Sequence, residues 1–380
     1  MRNVYKYKMF HVTAFILLSI VFLLIGCERN SPVSIKWTYD TGLIYNHYFE
    51  IVDDVLYASY PSGDLYAIDK NNGTLKWKYH DEEKGFTNCS VADDVVYVGR
   101  FCSYGCDRYE TNFLYAIDST DGELMWRFNL GDNEVIYNYD IKPTIADGVV
   151  YMASPFYYLY AIDMDSHEPL WRVDIILDEA SIRSILSVSD GMVYFYTKED
   201  FYAVDTITGN LELKWETESK KTSLINTATE ADGIVYISVN YFKTEKDYLY
   251  AIDALSGELK WKYEADLGRL TTPPAVFDGV IYFGSVDDYL YALDIDTGEL
   301  FWKCKMRGIA MSPPTVVDGI IYVGCNDHKL YALNANNGEL LWRFKTGGRV
   351  FSSIIVEEDV IYFGSQDGYL YALEINGNNQ

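Results

Sequence analysis

Val317 to Trp342 reads VDGIIYVGCNDHKLYALNANNGELLW, and Phe277 to Trp302 reads FDGVIYFGSVDDYLYALDIDTGELFW. Both stretches contain an Asp-Gly pair, an LYAL core and a closing tryptophan at the same positions. The core LYAID or a close variant occurs eight times, with its alanine at Ala67, Ala116, Ala161, Ala203, Ala251, Ala292, Ala332 and Ala372. Recurrence at a nearly constant spacing predicts a repeat architecture.

Length and composition favour one large folded unit. The chain has 380 residues and no linker rich in Pro, Gly or Ser, and 49% of its residues are hydrophobic. That content is enough for a packed interior throughout. The formal net charge of -25 argues against a nucleic-acid partner, because tracking phosphates requires a basic surface.

The N-terminus has the pattern of a lipoprotein signal peptide. Arg2, Lys6 and Lys8 precede an apolar run from residue 9 to residue 25, and Leu24-Ile25-Gly26-Cys27 resembles a lipobox. We therefore expect a signal peptide over 1–26, lipidation of Cys27 and a tether over 27–33. An uncleaved membrane anchor is the alternative. Either reading places the rest of the chain outside the cytoplasm, on the periplasmic side of the outer membrane if the source is Gram-negative and otherwise on the outer face of the cell membrane.

Five cysteines remain beyond Cys27. Cys102 and Cys106 lie in CSYGC, where a local disulfide is plausible in an oxidising compartment. A metal site is the rival interpretation, although no histidine lies nearby. The other three are Cys89, Cys304 and Cys325.

Each repeat predicts four short antiparallel strands. An acidic turn such as Asp278-Gly279 precedes an apolar strand such as VIYFG, which is followed by a second strand such as LYALD and by a strand ending in tryptophan. Asp-Gly favours a tight hairpin with positive φ. The LYALD strands are apolar on both faces, as expected if each sheet is covered on both sides. The repeat thus predicts the blade of a β-propeller.

The tryptophans predict the number of blades. They are Trp37, Trp77, Trp126, Trp171, Trp215, Trp261, Trp302 and Trp342. The last LYA strand has no tryptophan after it, whereas Trp37 has no LYA strand before it. We therefore predict an all-β, eight-bladed propeller over 34–377 in which strand 34–40 completes the last blade and closes the ring. We expect it to be monomeric.

The pattern Ala-x-Asp-x-x-[Thr/Asn/Ser]-Gly-x-x-x-Trp resembles the tryptophan-docking motif of PQQ-type propeller repeats. These occur in quinoprotein dehydrogenases and in BamB-type outer-membrane assembly lipoproteins. Four repeats depart from the motif. His167 replaces the turn glycine, Asn334 and Glu374 replace the turn aspartate, and Asp205 to Trp215 spans two extra residues. We expect local bulges in the third and fourth blades.

The resemblance to dehydrogenases implies pyrroloquinoline quinone and calcium in the central funnel. The adjacent cysteine pair and the long insertions of those enzymes have no counterpart in this sequence, and no calcium-ligand set can be matched. The five histidines show no HExxH spacing. We therefore predict no catalytic residues, metal or cofactor, with quinone and calcium expected only if the chain is an enzyme.

Basic residues precede the first strand of seven repeats: Lys84, Lys142, Arg183, Lys221, Arg269, Arg307 and Arg349. If these loops converge, they form a basic rim that attracts an anionic ligand or partner. The alternative is that they are ordinary solvated loop charges.

The function that the resemblance implies is that of a membrane-anchored, non-catalytic protein-binding scaffold, with partners in the cell envelope and assistance to outer-membrane protein assembly. A cell-surface ligand or polysaccharide sensor is one alternative. A quinone-dependent dehydrogenase is the other.

Overall fold

The computed structural model describes residues 32–43, 48–82, 85–100, 111–132, 141–154, 158–174, 182–197, 200–216, 223–241, 246–265, 270 and 272–376. The signal peptide, Cys27, Cys102, Cys106, Lys84, Lys221 and Arg269 lie outside these ranges. Within the described ranges no helix has the length and apolarity needed to cross a bilayer.

Eight sheets of four antiparallel strands form the blades of a propeller. Strands in each blade are called A to D in the order A-B-C-D across the sheet. Blades 1 to 4 contain β2 (Tyr48–Val52), β3 (Val55–Ser59), β4 (Asp64–Asp69) and β5 (Leu75–His80); β6 (Phe86–Ala92), β7 (Val95–Arg100), β8 (Thr111–Asp118) and β9 (Leu124–Asp132); β10 (Thr144–Ala146), β11 (Val149–Ala153), β12 (Tyr158–Asp163) and β13 (Pro169–Asp174); and β14 (Ile182–Ser189), β15 (Met192–Thr197), β16 (Asp200–Asp205) and β17 (Leu211–Glu216).

Blades 5 to 8 contain β18 (Ser223–Ala231), β19 (Ile234–Tyr241), β20 (Lys246–Asp253) and β21 (Leu259–Ala265); β22 (Ala275–Phe277), β23 (Val280–Gly284), β24 (Tyr289–Asp294) and β25 (Leu300–Lys305); β26 (Thr315–Val317), β27 (Ile320–Cys325), β28 (Lys329–Asn334) and β29 (Leu340–Lys345); and β30 (Ile354–Glu357), β31 (Val360–Gly364) and β32 (Tyr369–Ile375) with β1 (Val33–Asp40). The A strands of neighbouring blades contact one another, so they surround the axis, whereas the D strands form the outer edge.

The N-terminal strand closes the ring, as the sequence predicts. β1 is the D strand of blade 8 and pairs antiparallel with β32, with Val33 opposite Ile375 and Trp37 opposite Ala372. Closure joins the first and the last described strands in one sheet, so each of the eight blades has four strands.

The acidic turns between strands A and B have the geometry that the Asp-Gly pairs predict. Asp278 has φ 48° and Gly279 has φ 75°, so both central residues are left-handed. This is the type I′ pattern, which matches the twist of a hairpin. The C strands are buried on both faces, and Leu290, Tyr291, Ala292 and Leu293 of β24 are all 0% exposed.

Every blade has a bulge in its D strand, one residue before the position that pairs with the C-strand alanine. In blade 6, Ala292 pairs with Trp302 and Leu293 with Leu300, so Phe301 is the extra residue. The register shifts in the same place in all eight blades. Blades 3 and 4, where local bulges were expected, share this bulge with all the other blades. A bulge bends the exposed edge and hinders pairing with another chain.

Six of the tryptophans lie on the tight turn between strands C and D of the next blade: Trp37, Trp77, Trp126, Trp171, Trp261 and Trp302. A Cβ added to Gly298 would come within 2.6 Å of the Trp261 ring, so only glycine leaves room for the indole. The indole Nε1 of five tryptophans donates a hydrogen bond to a backbone carbonyl of that turn: Trp37 to Lys70, Trp77 to Ser119, Trp171 to Thr206, Trp261 to Ile295 and Trp302 to Ala335, at 2.8–3.1 Å. The indoles therefore join consecutive blades.

Two blades show how the docking tolerates change. His167, with φ 61°, stacks on Trp126 with ring centroids 4.5 Å apart. The assignment of Trp215 to the docking set is wrong, because Leu213 occupies the docking position. Leu213 pairs with Ala203 and would lie 2.9 Å from a Cβ on Gly257. The physical reason is the longer spacing between the turn aspartate and the tryptophan in this repeat. Its two extra residues place Trp215 two positions beyond Leu213 on β17, where it packs on Tyr250.

Candidate functional site

The ring has two different faces. Backbone hydrogen bonds join the B–C loops to the connections between blades, as from Met306 N to Asp288 O and from Thr346 N to His328 O. We call this side the loop face. On the opposite side, backbone hydrogen bonds join the A–B turns to the C–D turns, as from Ile295 N to Gly279 O. We call that side the turn face.

Three of the seven basic residues lie in described connections on the loop face. The side chains of Lys142, Arg307 and Arg349 are all exposed. Lys142 Nζ lies 3.0 Å from Glu50 Oε2 of blade 1, and this pair crosses the inner strand of blade 2. Arg349 is held through its backbone carbonyl, which accepts a hydrogen bond from Gln366 N at 2.8 Å. Arg183 lies on β14. A complete basic rim therefore stays a prediction.

Two acidic residues in the B–C loops of the loop face accept hydrogen bonds from tyrosines. Asp327 Oδ2 accepts a hydrogen bond from the hydroxyl of Tyr331, and Asp367 Oδ2 accepts one from Tyr371, each at 2.7 Å. Burial alone would raise the pKa of Asp327, but hydrogen bonds from Lys329 and Tyr331 outweigh it and lower that pKa. Burial and the Asp367 carboxylate raise the pKa of Tyr371. These partners make the carboxylates supports of the loops and weak candidates for acid-base chemistry.

The inner strands and the residues just before them carry a set of hydroxyl groups that the sequence analysis missed. Backbone N–H groups of glycines donate to hydroxyls twelve residues earlier: Gly99 to Thr87, Gly284 to Thr272, Gly324 to Ser312 and Gly364 to Ser352, at 2.7–3.2 Å. Other hydroxyls donate to the next blade, as from Thr229 to Pro274 O at 2.9 Å and from Thr315 to Ile354 O at 2.8 Å. The signal in the sequence is the constant spacing from Ser or Thr to Gly.

The described residues do not fit a quinone and calcium site. Calcium prefers several carboxylate and carbonyl oxygens around one point. No three His, Cys, Asp or Glu side chains come together in this way in the described part of the chain. The Glu50 carboxylate is paired with Lys142, and the hydroxyls described above form hydrogen bonds with backbone groups.

Three cysteines have pKa values raised by burial. The pKa of Cys89 and that of Cys325 rise to about 12, and that of Cys304 rises as well. Thiols with raised pKa values are poor nucleophiles, so these side chains act as packing groups. All three are free.

The turn face is acidic because the A–B turns and most of the C–D turns bring carboxylates to the same side. Asp232, Asp278 and Asp318 lie in A–B turns, and Asp253 and Asp294 lie at C–D turns. Grooves lie between neighbouring blades on this face. The groove between blades 5 and 6 has a volume of about 570 Å³, and that between blades 8 and 1 about 300 Å³.

Comparison with known proteins identifies the repeat. The sequence profile of the PQQ_2 family, described as outer membrane protein assembly factor BamB, matches residues 37–134, 110–267 and 245–380. A comparison with curated protein sequences finds no significant match.

Solved structures match the fold at low identity. BamB from Moraxella catarrhalis superposes with a TM-score of 0.69 and 18% identity, covering 92% of this chain and 99% of that chain. A computationally designed protein, Ika8, superposes with a TM-score of 0.71 and 14% identity, over 86% and 95% of the two chains. Quinohemoprotein alcohol dehydrogenase from Comamonas testosteroni gives 0.70 and 13%, over 92% of this chain and 77% of the enzyme.

Proposed function

Because the chain belongs to the PQQ_2 family of BamB-type propellers, we propose that it is a non-catalytic scaffold that binds proteins of the cell envelope and assists outer-membrane protein assembly. The observation that carries this proposal is the family match, which extends over nearly the whole propeller. Fold alone would not separate a scaffold from an enzyme, since both kinds of protein share these blades.

The surface supports binding in preference to catalysis. The carboxylates of Asp327 and Asp367 accept hydrogen bonds from tyrosines, and the hydroxyls described above bind backbone groups. The exposed surface, in contrast, offers charged faces and apolar side chains on the outer strands, such as Phe301 at 55% exposure. Charged and apolar surfaces of this kind are suited to protein recognition.

The proposal includes a lipid anchor at Cys27 and a location outside the cytoplasm. The positively charged segment, the apolar run and the lipobox-like sequence before Cys27 support it. An anchor would hold the propeller at a membrane surface, where a partner embedded in that membrane is within reach. Attachment to one surface raises the effective concentration of the two proteins for each other.

The experiment is an affinity purification of the full-length chain from its native membranes in mild detergent, at low and high salt, with mass spectrometry of the co-purifying proteins. We expect recovery of a barrel-assembly subunit in stoichiometric amounts. Recovery of the propeller alone under both conditions contradicts the proposal. The Arg269→Gln/Arg307→Gln/Arg349→Gln variant, purified in parallel, tests the basic rim, and unchanged recovery of the partner would remove the rim from the binding surface.

A further inference from the structure

The groove between blades 5 and 6 combines an apolar floor with an acidic border. Its floor includes Trp261 and Phe277, and its border includes Asp232, Asp278 and Asp296. Phe277 is 37% exposed although it ends a strand. The docking hydrogen bond from Trp261 Nε1 to Ile295 O, at 2.8 Å, fixes one wall. A large apolar side chain would therefore meet a preformed surface here.

The equivalent groove between blades 8 and 1 shows why this one is open. There, Lys70 occupies the place on the C–D turn that Ile295 has in blade 6. Lys70 Nζ lies 3.0 Å from Glu357 Oε2, so its side chain crosses the groove and neutralises part of its border. Ile295 provides neither a charge nor a bridge, and the groove volume is about 570 Å³ instead of about 300 Å³.

Among the described residues, no basic side chain forms an ion pair with the three border carboxylates of the open groove. Lys260 is its one basic lining residue, and Lys260 Nζ is 3.1 Å from Asp253 Oδ2, outside the groove lining. No ion pair joins Asp232, Asp278 or Asp296 to a basic side chain anywhere in the described ranges. The surrounding turn face is acidic too, so the potential at the groove favours a positively charged partner.

We propose that this groove binds an extended segment of a partner protein in which a large apolar side chain is flanked by arginine or lysine. The apolar side chain would cover Phe277 and Trp261, and the cations would reach the three carboxylates. In an extended segment, residues two apart lie on the same side, so a basic residue two positions before and after the apolar one faces the groove with it. This inference refines the scaffold function proposed above by giving the chemistry of a partner segment.

The test measures binding of a labelled peptide, Arg-Gly-Phe-Gly-Arg, to the purified full-length chain by fluorescence anisotropy. Peptides with Glu in place of both Arg, or with Ala in place of Phe, are the specificity controls. We expect binding only by the Arg-Gly-Phe-Gly-Arg peptide, with affinity that falls as salt rises. No binding at about 1 mM peptide, or equal binding of the three peptides, overturns the proposal.

Two variants locate the site. Asp232→Asn/Asp278→Asn removes two carboxylates from the groove, and asparagine tolerates the left-handed φ of these turns. We expect it to weaken binding about tenfold. The matched control, Asp147→Asn/Asp190→Asn, makes the same charge change in the A–B turns of blades 3 and 4 and should change affinity by less than about twofold. Equal losses in both would mean that only the overall charge of the face matters, which contradicts the proposal.

Ile295→Lys supplies an independent check, because it copies the residue that narrows the groove between blades 8 and 1. We expect it to abolish peptide binding, and unchanged binding would contradict the proposal. The result is separable from the test of the scaffold function. If the peptide binds but no assembly subunit co-purifies, the groove proposal stands and the assembly role is rejected. If the peptide does not bind, while an assembly subunit co-purifies equally well with the native chain and with Ile295→Lys, the assembly role stands and the groove proposal is rejected.

Discussion

The indole Nε1 of Trp37 donates a hydrogen bond of 2.8 Å to the backbone carbonyl oxygen of Lys70. Trp37 belongs to the strand that completes blade 8, and Lys70 belongs to the C–D turn of blade 1. This contact therefore joins the last blade to the first. It repeats, at the closure of the ring, the contact that the other docked tryptophans make between consecutive blades.

Trp37→Ala should destabilise the propeller by about 3 kcal/mol, because truncating a buried tryptophan leaves a cavity. Trp37 is 7% exposed, and the change also removes the hydrogen bond to Lys70. Urea unfolding followed by tryptophan fluorescence measures the difference. Leu341→Ala, on an outer strand at 45% exposure, is the control and should change the free energy of unfolding by less than about 0.5 kcal/mol. Equal effects of the two changes would show that closure adds no stability.

Gly298→Ala should be more harmful than Gly279→Ala. Both glycines have positive φ, 71° and 75°, which costs an alanine about 1 kcal/mol. A Cβ at Gly298 would lie 2.6 Å from Trp261, whereas a Cβ at Gly279 has nothing within 4 Å. Displacing the indole adds about 2 kcal/mol for Gly298→Ala alone. Chemical denaturation of the two variants gives the comparison, and equal losses would contradict tryptophan docking on the glycine.

Stability should fall in acid partly through the C–D turns. Hydrogen bonds lower the pKa values of three turn aspartates. The donors are the side chain and backbone of Thr208 at Asp205 and those of Thr297 at Asp294. At Asp253 the main donor is the backbone of Ser256. A carboxyl group whose pKa is lower in the folded state stabilises the fold at pH values above its unfolded pKa of about 4. This stabilisation is lost as the pH falls towards the pKa of the folded state.

The variant Asp205→Asn/Asp253→Asn/Asp294→Asn tests this pH dependence. Asparagine retains a turn acceptor, as Asn334 Oδ1 does for Asn336 N at 2.9 Å. We expect a lower urea midpoint than that of the native sequence at pH 7 and a smaller difference at pH 3. A control variant, Asp147→Asn/Asp190→Asn/Asp318→Asn, carries the same charge change in A–B turns. If the control behaves in the same way, net charge and not the turn hydrogen bonds explains the effect.

Cys27→Ser should abolish incorporation of radiolabelled palmitate into the full-length chain, since the thiol is the acceptor of the lipid in the anchor that we propose. The variant should also leave the membrane fraction after signal cleavage or accumulate as an uncleaved precursor. Labelling that persists in Cys27→Ser would reject this cysteine as the lipid site. An unlabelled native chain that stays in the membrane would favour the uncleaved anchor instead.

The repeat itself determined the fold, because its signals are local. Asp278-Gly279 requires a left-handed turn, the LYALD strand requires cover on both faces, and the unmatched Trp37 requires a partner blade. The turn and strand signals act within a few residues and recur along the chain, so the number of blades follows from counting, and the one tryptophan without a preceding LYA strand predicts the closure. The repeat also determines which face of the ring is acidic, because every acidic turn comes from the same position of the repeat.

Only the tertiary structure decided which side chains meet between blades. Leu213 replaces Trp215 at the docking position because the pleat, and not residue type, selects the side chain that faces the neighbouring blade. Ile295 leaves one groove open, whereas Lys70 narrows the equivalent groove. The side chain that accepts the hydrogen bond from Lys70 is Glu357, 287 positions away in the chain. Contacts between residues so distant in the chain depend on the packing of the closed ring, which no single repeat contains.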